Sequence, residues 1–282
     1  MSIVLNPHKI VQSALRFTAN VAPEIASVLT WRLFCTPLRA SEPTPSQRLM
    51  LSKASPFQVA FGRRKLDGFR WGEDHHPTLL AVHGWGGRAH VFGDLVGPLL
   101  ANGFSVVSFN APGHYRMGQK TNMLEYSSAI RAVARELPSV DGLFGHSFGA
   151  FTSAYTASKL QNVKALALIG APDRLDFMLD YARQMMDAPQ HILNRLESRI
   201  AKLSGEPVED HATHLYLANH DIPRLVVHDT NDRDVPIARA LEMANLLDAE
   251  LFQTEGLGHH RILQSQEVAE KLAQFFSRHI TF

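Results

Sequence analysis

The stretch Val-Asp-Gly-Leu-Phe-Gly-His-Ser-Phe-Gly, residues 140–149, decides the fold of this 282-residue chain. Val140–Phe144 is a short apolar run, typical of a strand that is covered on both faces. Gly145 to Gly149 then form a Gly-x-Ser-x-Gly turn, and the residues after it follow the helical period. A buried strand that passes through a tight glycine turn into a helix is a unit of a parallel sheet with covering helices.

The same alternation extends on both sides of this stretch. Strands are predicted at Thr78–Val82, Ser105–Phe109, Val140–Phe144, Val163–Ile169, Arg224–Val227 and Glu250–Gln253. Helices are predicted at His90–Ala101, Asn122–Leu137, Ser147–Leu160, Ile237–Leu247 and Ser265–Arg278. Upstream, Phe57–Phe61 and Phe69–Trp71 predict an antiparallel hairpin. The pattern predicts an α/β fold, in which a mostly parallel central sheet carries helices on both faces.

One interval interrupts the alternation. Residues 173–220 are helical in period and contain no strand pattern, with breaks at Pro189 and at Gly205-Glu206-Pro207. A connection of this length usually carries its own structure. We therefore expect a helical cap at 173–220, a core at 48–172 and 221–282, and a helical N-terminal extension at 1–47.

The N-terminal extension is apolar but does not read as a membrane span. Ile10 to Phe34 contain Arg16, Glu24 and Arg32 among other polar residues, whereas a span needs roughly 20 almost uninterrupted apolar residues. The apolar spacing predicts two short amphipathic helices broken near Pro23. Two interpretations stay open: helices packed on the body of the protein, or helices lying in a membrane interface. Stable membrane insertion is not expected.

Composition excludes several classes of protein. The chain is 45% hydrophobic, which disfavours disorder, and 28 Lys and Arg balance 27 Asp and Glu, which disfavours nucleic acid as a partner. Cys35 is the one cysteine, so an internal disulfide and a Cys-based zinc site are both excluded. These features favour a reducing, cytoplasmic location. The oligomeric state is not encoded in any pattern that we recognise.

Ser147 is the predicted nucleophile, because the Gly-x-Ser-x-Gly turn between strand and helix lifts its hydroxyl above the sheet. A serine hydroxyl needs a base to accept its proton. The segment Gly256-Leu257-Gly258-His259-His260 follows the last predicted strand, at the edge where open α/β sheets place their sites. His259, directly after the Gly258 turn, is the predicted base, and His260 is the alternative.

The base in turn needs a carboxylate to orient it. The segment 228–236, His-Asp-Thr-Asn-Asp-Arg-Asp-Val-Pro, follows the strand Arg224–Val227 and offers three aspartates. Asp232 lies in mid-loop and is the predicted partner of the histidine. Asp229 is expected to hold the turn by accepting backbone N–H groups, and Asp234 is expected to be a surface or helix-start charge.

A tetrahedral intermediate also needs hydrogen-bond donors for its negative oxygen. His83-Gly84-Trp85-Gly86-Gly87 follows the strand Thr78–Val82, and its glycines let the backbone approach a ligand closely. We assign this oxyanion hole to the backbone amides of Trp85 and Phe148. The same two residues are the predicted substrate contacts.

These motifs together resemble the α/β-hydrolase superfamily from about Phe57 to Phe282. The resemblance rests on HGWGG at 83–87, on FNAPGH at 109–114, on GHSFG at 145–149, on the Asp232 loop and on GLGHH at 256–260. The order Ser147, Asp232, His259 is that of the family. Family members usually have Asp at position 110 and Gly at 115, where this chain has Asn110 and Tyr115.

The resemblance implies a cofactor-free serine hydrolase that needs no metal and acts on a small acyl substrate. Hydrolysis of carboxylic esters, or of thioesters or lactones, would pass through an acyl-enzyme and would become faster as the histidine loses its proton. An acyltransferase or a C–C bond hydrolase could use the same triad, and a non-catalytic small-ligand receptor could share the fold. Serine at the elbow disfavours haloalkane dehalogenase and epoxide hydrolase chemistry, for which the related families use aspartate.

Overall fold

The computed structural model describes residues 7–37, 41–114 and 119–281. In this part of the chain the strands are β1 (Ser55–Phe61), β2 (Arg64–Trp71), β3 (Thr78–Val82), β4 (Ser105–Phe109), β5 (Gly142–His146), β6 (Ala165–Ile169), β7 (Arg224–Asp229) and β8 (Glu250–Thr254). The α-helices are α1 (Pro7–Val21), α2 (Pro23–Phe34), α3 (Pro45–Ser52), α4 (Gly93–Ala101), α5 (Met123–Arg135), α6 (Phe148–Ala157), α7 (Leu175–Met186), α8 (Gln190–Ser204), α9 (Thr213–Leu217), α10 (Ile237–Leu247), α11 (Gly258–Arg261) and α12 (Gln266–His279).

The strands form one sheet in the order β1-β2-β4-β3-β5-β6-β7-β8. β1, β2 and β4 pair antiparallel at one edge, and every pair from β4 through β3 to β8 is parallel. This confirms the predicted α/β fold with its leading hairpin. The central parallel strands β3 to β6 consist mostly of apolar residues because helices cover both of their faces.

Alternate residues of each strand enter different apolar cores. On β3, Leu80 and Val82 pack in a core with residues of α5, α6 and α10, whereas Leu79 and Ala81 pack in a core with residues of α4 and α12. The period of two along a strand explains this division. Two filled cores fix the sheet, and so they also fix the positions at which its strands end.

Those strand ends bring the predicted site residues to one edge. β3, β5, β7 and β8 run parallel, and each is followed by a segment that the sequence singled out. These segments are 83–87 after β3, Ser147 after β5, 230–235 after β7 and 255–260 after β8. The topology therefore collects residues that lie more than 170 positions apart at the carboxyl edge of the sheet.

Some element limits differ from the sequence prediction. The sequence predicts a loop at His259, but the structure has the short helix α11 there. Helix α3 was not predicted, although Thr44 and Gln47 form a capping box at its start. Between Asp173 and His220 the predicted breaks are confirmed: α8 begins after Pro189 and ends at Gly205, which has a φ of 82°.

The chain forms two compact units, Met1–Thr36 with Arg174–Ala212 and Pro37–Asp173 with Thr213–Phe282. The first unit contains α1, α2, α7 and α8, and the second contains the sheet with the other helices. The N-terminal helices therefore share a unit with the segment expected to be the cap. The three-part division expected from sequence stays a prediction. Among the described residues, no helix is both long enough and apolar enough to cross a bilayer.

Candidate active site

Ser147 occupies a strained position between β5 and α6. Its backbone has φ 54° and ψ −126°, and positive φ is unfavourable for a residue with a side chain. The serine is half-buried. A Cβ on Gly145 would lie 2.6 Å from backbone atoms of Gly149 and Ala150, and a Cβ on Gly149 would lie 2.2 Å from the Val82 carbonyl oxygen. Both positions therefore require glycine.

His259 and Asp232 form a direct pair. The Nδ1 atom of His259 lies 2.7 Å from Oδ2 of Asp232, and both side chains are buried. The other carboxylate oxygen, Oδ1, accepts the backbone N–H groups of Asp234 and Val235, each at 2.9 Å. Burial alone would raise the pKa of Asp232, but the bonds from His259 and from these amides outweigh it and hold the pKa below its ordinary value. The carboxylate is thus ionised at neutral pH.

The alternative histidine, His260, does not pair with Asp232. The His260 side chain is 78% exposed, and its Nε2 is 3.8 Å from Oδ2 of Asp234, which is itself partly exposed. The structure therefore brings His259, and not His260, to Asp232. The two rings differ because one residue along a helix turns the side chain by about 100°.

Asp229 connects the two loops that carry this pair. Its fully buried carboxylate accepts four hydrogen bonds, from the backbone N–H groups of Asn231, Leu257 and Gly258 and from the Thr254 hydroxyl, at 2.8–3.0 Å. Burial would raise the pKa of Asp229, but these bonds outweigh it and lower the pKa. The expected turn-holding role is confirmed. The hydrogen bond that Asp229 accepts from Gly258, next to His259, could not be predicted from local sequence.

His146 joins His259 to the turn that carries Ser147. The two imidazole rings are 4.7 Å apart at their centroids, and Nε2 of buried His146 donates to the backbone carbonyl of His259 at 2.7 Å. Burial and the nearby His259 hold the pKa of His146 well below its ordinary value. Because His146 directly precedes Ser147, this contact brings the elbow and the His259 helix together. The sequence analysis missed this role, although position 146 within the motif was a signal.

The loop His83–Gly87 lies against the elbow. A Cβ on Gly84 would lie 2.9 Å from both the His146 carbonyl oxygen and the Ser147 Cβ, so only glycine fits there. The Ala111 N–H donates to Nε2 of His83, which therefore carries its proton on Nδ1 and donates to the Gly84 carbonyl at 2.8 Å. Burial holds the pKa of His83 well below its ordinary value, so the ring is neutral.

A second neutral histidine holds the next residue of this loop. The Gly86 N–H donates to Nε2 of His114 at 3.0 Å, and Nδ1 of His114 lies 3.0 Å from the Pro112 carbonyl. Burial lowers the pKa of His114 to about 4. The Gly86 carbonyl accepts the Ser41 N–H at 2.8 Å. Gly86 is therefore fixed on both sides of its backbone.

Asn110 fills a position where the family usually has aspartate. Its Oδ1 accepts the Ala89 N–H at 3.0 Å, and its backbone N–H donates to Asp67. An amide oxygen serves this acceptor role as a carboxylate would. The departure is accommodated because the local turn requires the oxygen and not the charge. Tyr115, the other departure, lies outside the described residues.

Trp85 and Phe148 form an aromatic surface next to Ser147. Their ring centroids are 5.1 Å apart in an edge-to-face arrangement, and Phe148 makes a similar contact with buried Tyr126. Trp85 is 37% exposed, which is high for so large an apolar side chain. The structure thus brings both predicted substrate contacts together on one side of the elbow.

One group of described residues has the composition of a cation site. Asp232, Asp234 and His259 place one potential ligand atom each within 4.8 Å of one another. The oxygens of Asp232 are already engaged, one by His259 and the other by two backbone amides. These donors are arranged to orient an imidazole.

Comparison with known proteins adds relatives that share part of this chain. It is 31% identical over 100 residues to a pimeloyl-[acyl-carrier protein] methyl ester esterase of Xanthomonas campestris, covering 36% of this chain and 39% of that one. It is 29% identical over 164 residues to serine hydrolase-like protein 2 of Homo sapiens, covering 50% and 52%. The matches thus span about two-fifths to one-half of these two relatives.

Solved structures show the same fold at low sequence identity. An esterase of Pyrococcus furiosus matches with a TM-score of 0.66 and 17% identity over 88% of this chain and 98% of that one. An esterase of Thermogutta terrifontis matches with a TM-score of 0.62 and 17% identity over 85% and 95%. The model of the alpha/beta hydrolase family matches residues 79–271, well over half of the sequence. The chain therefore belongs to the α/β hydrolase family.

Proposed function

We propose that the protein is a serine hydrolase that cleaves carboxylic esters, with Ser147 as nucleophile, His259 as base and Asp232 as the residue that orients the histidine. The observation that carries the proposal is the 2.7 Å contact between His259 and Asp232, on a loop that His146 ties to the elbow. The match to an esterase from Xanthomonas supports ester bonds as the substrate class.

The hydrogen bond between His259 and Asp232 suits a histidine that acts as a general base. Ionised Asp232 accepts the Nδ1 proton of His259, and the imidazole acts as a base in the form whose Nε2 carries a lone pair. Ser147 Oγ attacks the ester carbonyl carbon, and its proton passes to Nε2. The imidazolium formed is stabilised by Asp232 and returns the proton to the leaving alkoxide oxygen. Water, deprotonated in the same way, then hydrolyses the acyl-enzyme to the carboxylic acid.

Two backbone amides are available for the oxyanion. In the loop after β3, the amides of Gly86 and Gly87 are engaged by His114 and by the Gly84 carbonyl. Among the described residues, the Trp85 amide has no such partner. Phe148 is the first residue of α6, where helix geometry leaves an N–H without an acceptor and adds the positive end of the helix dipole. We assign the oxyanion hole to these two amides.

The aromatic surface of Trp85 and Phe148 favours an apolar acyl group. Both rings stand beside the nucleophile, and apolar acyl chains gain by leaving water for such a surface. An acyl-length scan with p-nitrophenyl esters measures this preference directly. We expect kcat/KM to rise from acetate to medium-length chains and to fall for Trp85→Ala on the longer chains alone.

Active-site labelling tests the assignment of the nucleophile. A fluorophosphonate probe should label the wild-type chain, and Ser147→Ala should abolish the labelling and lower ester turnover by several powers of ten. Asp232→Asn should lower kcat by about 10⁴-fold, because the histidine loses the acceptor that fixes its tautomer. Ser158→Ala, an exposed serine at the far end of α6, is the matched control and should change neither readout.

The outcomes separate the alternatives. Labelling at Ser147 without turnover on any ester would contradict the proposed ester hydrolysis and favour a receptor or an acyltransferase. Turnover that survives Ser147→Ala would remove Ser147 from the mechanism. Labelling of wild type that persists unchanged in Asp232→Asn and in His259→Ala would remove the pair.

A further inference from the structure

The helices α1 and α2 each bury one face within their own unit. Leu15 and Ala19 of α1 and Ala26 of α2 are at most 4% exposed, and they form an apolar cluster with Ile192 and Leu193 of α8. The interpretation of these helices as packed elements therefore holds for one face of each helix.

The opposite faces carry large apolar side chains in solvent. On α1, Phe17 and Val21 are 69% and 65% exposed, and on α2, Ile25, Val28 and Leu29 are 57%, 51% and 41% exposed. The spacings i, i+4 and i, i+3, i+4 place each set on one stripe of its helix. Two adjacent helices thus present apolar stripes that their own packing leaves uncovered, which marks an interaction surface.

The charges around these stripes are mostly positive. Lys9, Arg16 and Arg32 are exposed on the two helices. Arg16 is paired with Asp187 at 2.9 Å, and Glu24, the one acidic side chain of α1 and α2, is paired with Arg195 of α8, so the net positive charge comes from Lys9 and Arg32. Arg32 comes seven residues after Ile25, on the same face of α2 as Val28 and Leu29, so it lies at the end of the α2 stripe itself.

This charge pattern distinguishes between occupants. A contact between two copies through these stripes would bring Lys9 and Arg32 of both copies to one apolar interface with no acidic side chain of α1 or α2 free to pair with them, which is unfavourable. A bilayer with anionic headgroups accepts the apolar stripes below the headgroups and pairs the cations with phosphate oxygens. An arginine at the border of a stripe reaches the headgroup level with its long side chain.

We propose that α1 and α2 bind the surface of anionic membranes, with Phe17, Val21, Ile25, Val28 and Leu29 entering the interface and Lys9 and Arg32 contacting the headgroups. The helices lie on the membrane and do not cross it. None of these residues belongs to the proposed catalytic site, and the proposal does not depend on ester hydrolysis.

Vesicle flotation of the full chain tests the proposal. Vesicles of two parts phosphatidylcholine to one part phosphatidylglycerol should carry the protein, vesicles of pure phosphatidylcholine should carry far less, and high salt should release it. Phe17→Ser with Ile25→Ser should lower binding by about tenfold or more, because two exposed apolar anchors are lost. Arg32→Gln should lower it by about fivefold.

The matched control exchanges two exposed apolar residues elsewhere. Leu241 and Leu246 of α10 are 45% and 52% exposed, so Leu241→Ser with Leu246→Ser changes the same kind of surface and should bind vesicles as wild type does. Circular dichroism melting confirms that each variant is folded. Wild-type protein that floats with neither vesicle, or equal loss in both double variants, overturns the proposal. A dimer in light scattering that Phe17→Ser with Ile25→Ser dissociates, without flotation, would assign the surface to a second copy instead.

Discussion

His114 accepts the Gly86 N–H with a ring nitrogen that can accept only while the imidazole is neutral. Burial, the main cause, lowers its pKa from 6.5 to about 4. Between these values the unfolded chain binds a proton that the folded chain does not. The free energy of unfolding must therefore rise with pH through this window and fall as the pH drops from 6.5 towards 4. This single group contributes up to about 3 kcal/mol.

Replacement of the titrating ring checks this pH dependence. In His114→Gln, an amide oxygen can accept the Gly86 N–H at any pH, so the slope of unfolding free energy against pH should decrease between pH 4 and 6.5. Urea unfolding at several pH values measures the slope. His75→Gln, at an exposed turn, is the control and should keep the wild-type slope. An unchanged slope in His114→Gln would show that His114 titrates alike in both states.

At the residue level, the sequence indicates the proposed nucleophile more readily than the residues that surround it. Ser147 lies in a local motif whose strand and helix are both visible in the sequence. The choice between His259 and His260 rested on a one-residue argument, because adjacent residues share the same local pattern. The contacts of His146 with His259 and of Asp229 with Gly258 join segments 113 and 29 positions apart, and no local pattern encodes them.

At the scale of elements, the turn between β5 and α6 depends on the absence of side chains. In Gly149→Ala the new Cβ would meet the Val82 and His83 carbonyl oxygens at 2.2 and 2.4 Å, and backbone cannot move aside cheaply. We expect a loss of about 3 kcal/mol or more in unfolding free energy and loss of fluorophosphonate labelling. Denaturant unfolding and the labelling rate measure the two effects.

Gly97→Ala is the matched control for that substitution. Gly97 lies in α4, where an added Cβ would meet nothing within 4 Å beyond its chain neighbours. Alanine gains helix propensity there but precedes Pro98, which disfavours helical backbone, so the net change should stay below about 1 kcal/mol. If Gly149→Ala were equally mild, β3 and α6 would be less tightly packed than the structure indicates.

The strands were predictable from the sequence where helices bury both of their faces. β3 to β6 are buried along their whole length, so their sequences consist mostly of apolar residues. α3 and α11 were not predicted because helices of four to eight residues offer too few positions for a period, whereas α9 lies in the segment 173–220 that was predicted to be helical. The pairing of β1 with β2 was predictable because a polar stretch of the chain separates two apolar runs.

At the scale of the whole molecule, segments far apart in sequence build each unit. The first unit joins Met1–Thr36 to Arg174–Ala212, and its apolar cluster contains residues from both. The sequence predicts helices in both segments but not that they pack together, because a helical period does not identify the element that the apolar face contacts. The stability of Arg174–Ala212 should therefore depend on residues of Met1–Thr36.

Leu15→Ala tests that dependence across nearly 180 positions. Leu15 is 4% exposed and packs in the cluster with Ile192 and Leu193 of α8, so its truncation leaves a cavity that costs about 2–5 kcal/mol. Local opening of α8 then becomes more frequent, and trypsin should cut after Arg195 and Arg199 at least tenfold faster than in wild type. Phe17→Ala, on the exposed face of the same helix, should leave the cleavage rate unchanged because that side chain is 69% exposed. Equal rates in the two variants would mean that α1 does not stabilise α8. Faster cleavage in Leu15→Ala alone would mean that the packed face of α1 protects α8 from local opening.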